Sequence, residues 1–245
     1  MNRFNFQGNS FQENYTEQAN FAIADARTFL SKVFSWMFLA LGITAVTAYY
    51  FAANAHLMAY LIGSNGITPL GWIVMFAPLG LVLIMSMGLN KLSFGALSLI
   101  YVAYSLLMGM SLSFILLIYS IDTIFITFAI TAGMFGFMAL IGYTTKTDLT
   151  KLGSILFMGL IGIIIASVVN FFVKSSQMEY IISFIGVLVF TGLTAYDMQK
   201  LKRIGSGVSM QDASTKKLVI MGALTLYLDF INLFLFLLRL MGGRK

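Results

Sequence analysis

The sequence predicts an all-α polytopic membrane protein with seven transmembrane helices, and three observations predict it. Apolar residues make up 59% of the 245 residues and charged residues only 10%, too few to cover the surface of a water-soluble domain of this size. Several runs of about twenty residues lack any charge, the length a helix needs to cross a bilayer. Lys and Arg are shared unevenly among the connecting loops, as the positive-inside rule demands.

In chain order, residues 1–28 are polar, rich in Asn and Gln, and carry both signs of charge. Without a basic start and a short apolar core they do not read as a signal peptide, and a soluble cytoplasmic tail, partly disordered near its start, is expected. A seven-helix transmembrane domain is expected over 29–241, followed by a short basic tail at 242–245. Span one covers about 29–51. A loop at 52–70 has no Lys or Arg and holds the turn material GSNG. Span two, about 71–88, starts near the interfacial Trp72, and its Pro78 is expected to kink it. Span three follows Lys91 at about 94–118. Span four covers about 124–143, and span five about 152–173 after the polar loop TTKTDLTK. Span six starts near 180 and runs past Asp197. A long basic loop, KLKRIGSGVSMQDASTKK, then leads to span seven at about 218–241. Placing the N-terminus inside puts eleven of the fifteen Lys and Arg in the cytoplasm and four outside, which favours N-in, C-out.

Several chemistries are excluded. There is no cysteine, so disulfides and thiolate catalysis are absent, and the single His56 cannot build a metal site. A net charge of +6 matches basic loops at a membrane surface and does not call for nucleic acid. The sixteen methionines are scattered and read as packing. Small residues recur at helical spacing at Ala129, Gly133 and Gly136, at Gly159 and Gly162, and at Gly186 and Gly192. They are expected to support close helix packing.

The functional expectation rests on two carboxylates. Of nine acidic residues, Glu13, Glu17 and Asp25 lie in the tail, and Asp122, Asp148, Glu179 and Asp212 in loops or at span ends. Only Asp197 and Asp229 sit within apolar spans, where an ionisable group marks a functional site by default. Thr225, Asp229 and Asn232 share one face of span seven, with Gly222 a turn back, and Gly186, Phe190, Thr194 and Asp197 share one face of span six. If the two stripes line one seam, the carboxyls cannot easily both ionise and the pair can share a proton, which makes a pH sensor. Ionised, the pair offers hard oxygen ligands to a transient Ca²⁺. The competing structural reading pairs Asp197 with Lys200 at the surface and gives Asp229 a hydrogen bond to a neighbouring helix. Depth also matters: Asp229 is twelve residues beyond Lys217, roughly 18 Å, whereas Asp197 is six from Arg203, roughly 9 Å. Pairing therefore requires tilt or a span six that stays helical into the headgroups.

FIGVLVFTGLTAYDMQKLKRI followed by ALTLYLDFINLFLFLLRLMG resembles the signature of the Bax inhibitor-1, or transmembrane Bax inhibitor motif, family. Its sharpest motifs are Ala195-Tyr196-Asp197 and the run from Leu226 to Asn232, and the likeness covers nearly the whole chain. The wording is nearer to bacterial members than to animal ones, which implies a bacterial cytoplasmic (inner) membrane. The resemblance implies six helices around a central seventh. It also implies a pH-sensitive calcium leak channel in which Asp197 and Asp229 are the hydrogen-bonded sensor, with Ca²⁺ as permeant ion and no resident cofactor. Family channels latch their closed state with a basic residue near the cytoplasmic ends of spans two and three, where GLNKL offers Lys91. The rival class, also implied by bacterial members, is a non-transporting inhibitor of a membrane-bound ATP-dependent protease that grips the N-terminal tail. An enzyme has little support: HExxH and GxSxG are missing, and neither aspartate stands in the GxGD context of an intramembrane protease.

Overall fold

The computed structural model describes the backbone of residues 5–64, 66–209 and 212–242, and side chains from residue 24 onward. Among these residues the chain forms eight α-helices: α1 (Asn5–Ala53), α2 (Ala55–Leu61), α3 (Pro69–Gly88), α4 (Phe94–Ile118), α5 (Ile121–Thr144), α6 (Thr150–Val173), α7 (Ser176–Ser206) and α8 (Ala213–Met241). Seven are long and apolar enough to cross a membrane, the first of them as the Ala24–Ala53 part of α1. Within hydrocarbon a backbone has no water to bond to, so each apolar run folds on itself as a helix.

The connections are short and capped from the sequence. Thr68 accepts a hydrogen bond from the Gly71 amide ahead of Pro69, and Ser93, Ser120 and Ser175 cap α4, α5 and α7 in the same way. These caps satisfy amides that a helix start leaves without partners.

Three expectations change. Residues 5–23, expected as part of a soluble tail partly disordered near its start, continue α1 as helix; the stretch has no proline, and Gly8 is its one strongly unfavourable helix residue. The 52–70 loop contains α2, started by Asn54, and a two-residue β1/β2 hairpin at Ile62–Gly63 and Gly66–Ile67, which Gly66 turns with φ of 111°. The long basic loop shrinks to 207–212, because α7 stays helical to Ser206 and α8 begins at Ala213. Helix α3 runs unbroken through Pro78.

Helix α8 is the axis. It packs directly against α1, α4, α5 and α7, while α3 lies outside against α4 and α6 lies outside against α7. Leu224, Leu226, Tyr227 and Leu233 of α8 are fully buried, in a core with Phe29, Met37, Tyr101 and Tyr104. The outer helices turn large apolar side chains such as Phe125, Ile155 and Phe172 outward, the arrangement expected where lipid replaces water.

The glycines divide unexpectedly. Gly186 packs on Phe236, Gly192 on Leu156 and Gly159 on Val189, as the spacing predicts, but a Cβ at Gly133, Gly136 or Gly162 would meet nothing within 4 Å. Spacing identifies a small-residue face without saying whether protein or lipid covers it. The closest approach occurs at Gly142, whose added Cβ would collide with the Ala195 backbone, and at Gly153 a Cβ would reach the Tyr196 ring at 2.5 Å.

Candidate functional site

Each residue of the Ala195-Tyr196-Asp197 run on α7 meets a different helix. Ala195 lies against Gly142 of α5 and Tyr196 against Gly153 of α6. Asp197 turns toward α8, where its carboxyl stands within hydrogen-bonding reach of Asp229. Both aspartates are 5% exposed. The contacts Leu201–Gly222, Asp197–Asp229 and Gly186–Phe236 step along the two helices in one antiparallel register. The depth mismatch disappears because α8 starts five residues before its expected beginning and its first turns project beyond the end of α7.

The pair is enclosed but not fully satisfied. Among the described residues Asp229 Oδ2 has no hydrogen-bond partner, and neither has Thr191 Oγ1, about two turns before Asp197 on α7. The alternative surface ion pair is not formed: Lys200 is exposed and, although its charge acts on Asp197, no salt bridge joins them. Of the supporting polar face, Thr194 donates to Phe190 O at 2.8 Å, Thr225 to Met221 O at 3.1 Å, and Asn232 Nδ2 to Leu228 O at 2.8 Å. The two hydroxyl protons are spent on their own helix, and Asn232 keeps one N–H, so acceptor lone pairs and that single donor remain for an ion or water. Among the described residues no third His, Cys, Asp or Glu joins the two aspartates. A bound Ca²⁺ takes six to eight oxygens, more than these two carboxyls supply.

Lys91 is exposed in the α3–α4 turn, and among the described residues its side chain has no hydrogen bond or ion pair. The lysine that does hold this turn is Lys217 of α8, whose Nζ donates to Leu89 O at 3.1 Å and Leu92 O at 3.0 Å.

The family profile described as "Inhibitor of apoptosis-promoting Bax1" matches residues 26–245. The chain belongs to the Bax inhibitor-1 family. It is 48% identical over 223 residues to the inner membrane protein YbhL of Escherichia coli K12, covering 91% of this chain and 94% of that one. It is 46% identical to an uncharacterised protein of Borreliella burgdorferi, with 89% and 92% covered, and 37% identical to an uncharacterised membrane protein of Streptococcus pyogenes serotype M1, with 87% and 92% covered.

Two further features of this Bax inhibitor-1 protein escaped sequence reasoning. Tyr227, on the far side of α8 from Asp229, bonds Thr44 of α1 at 2.7 Å, and Thr44 donates to Ser105 O of α4 at 3.0 Å. Because the Thr44 proton is used on Ser105, Tyr227 is the donor of the first bond. At the loop end, Gln199 accepts from the Leu149 amide at 2.9 Å and donates to Thr147 O at 2.8 Å, while Arg203 reaches Asp148 at 2.6 Å. These bonds fasten the α5–α6 loop to α7 two residues past Asp197. Thr, Tyr and Gln give no sequence signal of this kind, because only the fold supplies their partners.

Proposed function

We propose that this protein is a pH-sensitive Ca²⁺ leak channel gated by Asp197 and Asp229. The observation that carries the reading is the enclosure of the two carboxyls, within reach of one another, at the seam of the central helix and its hairpin partner. With one proton shared, the pair forms a charge-assisted hydrogen bond that holds α7 to α8. Removing or adding a proton leaves either two facing charges or two neutral acids. Either change alters the bond and biases the packing of the two helices. In the opposite half of the bundle a cavity of about 770 Å³ opens between α4, α6, α7 and α8, with Asn170, Lys174 and Arg239 in its wall. Leu235 bounds it, six residues and roughly 9 Å along α8 from Asp229. An apolar stretch between a wet cavity and a buried acid pair is what a closed pathway requires.

The orientation is proposed as N-in, in a bacterial inner membrane, the location that YbhL bears in its name. Since the chain has no cysteine, Thr147→Cys provides a unique label; modification from the cytoplasmic side is expected, and modification only from the opposite side refutes N-in.

The channel itself is tested by Ca²⁺ flux into proteoliposomes from about pH 5 to 8, comparing the native chain with Asp197→Asn and Asp229→Asn. A pH-dependent flux whose profile is flattened or displaced in each variant is expected. A folded native protein with no flux above empty liposomes at any pH defeats the reading. One observation favours the second reading, inhibition of a membrane-bound ATP-dependent protease: α1 extends from residue 5 to 23 ahead of its membrane-spanning part, giving such a protease a segment to grip. Deleting residues 1–25 separates the two, since the protease reading loses its interaction and the channel reading keeps its leak.

A further inference from the structure

Helices α1 and α5 both pack on α8 but scarcely on one another. The crevice between them holds three cavities stacked along the membrane normal. At the α5–α6 loop end is a polar pocket of about 250 Å³, bounded by Ala26, Tyr143, Lys146, Lys202 and Arg203. Next comes a groove of about 350 Å³ lined almost wholly by carbon, including Phe38, Gly136 and Leu140. Tyr143 belongs to both, so the pocket and groove are continuous. A third hollow of about 220 Å³ continues toward the other leaflet and shares Phe230 with the groove.

We propose that this crevice binds one anionic phospholipid, its phosphate held by Lys146 and Lys202 and an acyl chain laid between α1 and α5. The charges are arranged for it. Lys146 is exposed, and among the described residues its ammonium has no partner. Lys202 gives one proton to Tyr143 O at 2.7 Å and lies 4.7 Å from the Tyr143 ring centre, which leaves two N–H donors. Arg203 is committed to Asp148, so the two lysines carry the pocket's net charge. Among the described residues no acidic side chain bounds the pocket.

The groove decides between lipid and a soluble anion. A free phosphate would use only the polar end. The chain floor lies directly beneath the headgroup pocket: Met198, which bounds the groove, is one helical turn from Lys202 on the same face of α7. Phe38 and Leu140 stand 63% and 58% exposed on the crevice walls, where hydrocarbon is their natural neighbour. Basic pockets between membrane helices at the bilayer surface select anionic headgroups. The chain would also rest on Met198 and Phe230, the immediate sequence neighbours of Asp197 and Asp229, placing lipid occupancy one residue from the carboxyl pair. The lipid site does not depend on the channel reading.

Native mass spectrometry of the full chain in detergent tests this, with phosphatidylglycerol, phosphatidylcholine and inorganic phosphate added in turn. Phosphatidylglycerol is expected to be retained over phosphatidylcholine. Lys146→Gln removes one surface cation and should reduce that preference about fivefold. Gly136→Leu fills the groove from a site with no neighbour within 4 Å; it should reduce retention of both lipids while Gly133→Leu, equally open but outside the groove lining, leaves it unchanged. Equal retention of the two lipids by the native protein overturns the site, as does displacement of phosphatidylglycerol by inorganic phosphate. A full complement of lipid on Gly136→Leu also overturns it. Both key positions are open to their surroundings, so unaltered melting is the expected control.

Discussion

The approach of α5 to α7 at Gly142 makes a sharp energetic prediction. A Cβ there would meet the carbonyl oxygen, carbonyl carbon and Cα of Ala195, all backbone, so no side-chain rotation can make room. Gly142→Ala therefore has to push the helices apart, at about 1–3 kcal/mol for overpacking. Against this stands the helix-propensity gain of Ala over Gly, about 1 kcal/mol. Gly133→Ala, on the same helix but facing open space, collects the gain without the collision. The difference between the two variants isolates the packing cost: Gly133→Ala should be as stable as the native protein or up to about 1 kcal/mol more stable, and Gly142→Ala should fall below it by about 1–3 kcal/mol. Denaturant titration of the purified protein in detergent measures both. If the two variants agree within about 0.5 kcal/mol, the α5–α7 contact is not as close as described. Because Ala195 is two residues from Asp197, Gly142→Ala should also change the pH profile of any Ca²⁺ flux, whereas Gly133→Ala should not.

Other expected outcomes follow from polar contacts. A double-mutant cycle of Thr44→Val and Tyr227→Phe should give a coupling of about 0.6 kcal/mol and no more than about 1.7 kcal/mol; zero coupling removes the α1–α8 bond from the account. Lys217→Met deletes two hydrogen bonds to the carbonyls of Leu89 and Leu92, and at about 1 kcal/mol amide exchange in the α3–α4 turn should accelerate roughly fivefold. The same variant of Lys91 should leave that exchange unaltered. The Thr150 hydroxyl, followed by the Arg203 guanidinium and the Thr150 amide, holds the exposed Asp148 carboxyl well below the usual carboxylate range. A depressed carboxyl stabilises the fold above its unfolded value, near about 4, and that contribution is lost as pH falls toward the folded value. Amide exchange at residues 145–149, relative to its intrinsic pH dependence, should thus keep a constant protection from Asp148 between about pH 8 and 5 and accelerate below about pH 4, while Asp148→Asn should be loosened throughout.

The membrane-spanning helices were legible because lipid permits few alternatives: an apolar run of sufficient length must be helical, and the expected 94–118 coincides with α4. Asp197 and Asp229 were legible for a related reason, since carboxylates within such runs stand out against their surroundings. Helix α2 was missed because its seven residues give too short a pattern beside the GSNG turn. The α7–α8 loop is shorter than the basic run 200–217, because charged residues end an apolar span without ending its helix: α7 carries Lys200, Lys202 and Arg203 on continuous helix to Ser206. GLNKL pointed to Lys91 as the basic residue of the α3–α4 turn, but the lysine bonded there arrives from more than a hundred residues away. Local sequence cannot report a partner that the fold alone brings near.

The position of α8 has a consequence for how the molecule is made. Seven helices leave the ribosome before the one around which they pack, and α1 and α4 wait for Tyr227 while α7 waits for Asp229. Until α8 enters, Asp197 lacks its partner and Thr44 has only Ser105 O of the already-made α4. The assembly of this protein is therefore closed from the inside, and a fault in its last-made helix is felt directly by α1, α4, α5 and α7.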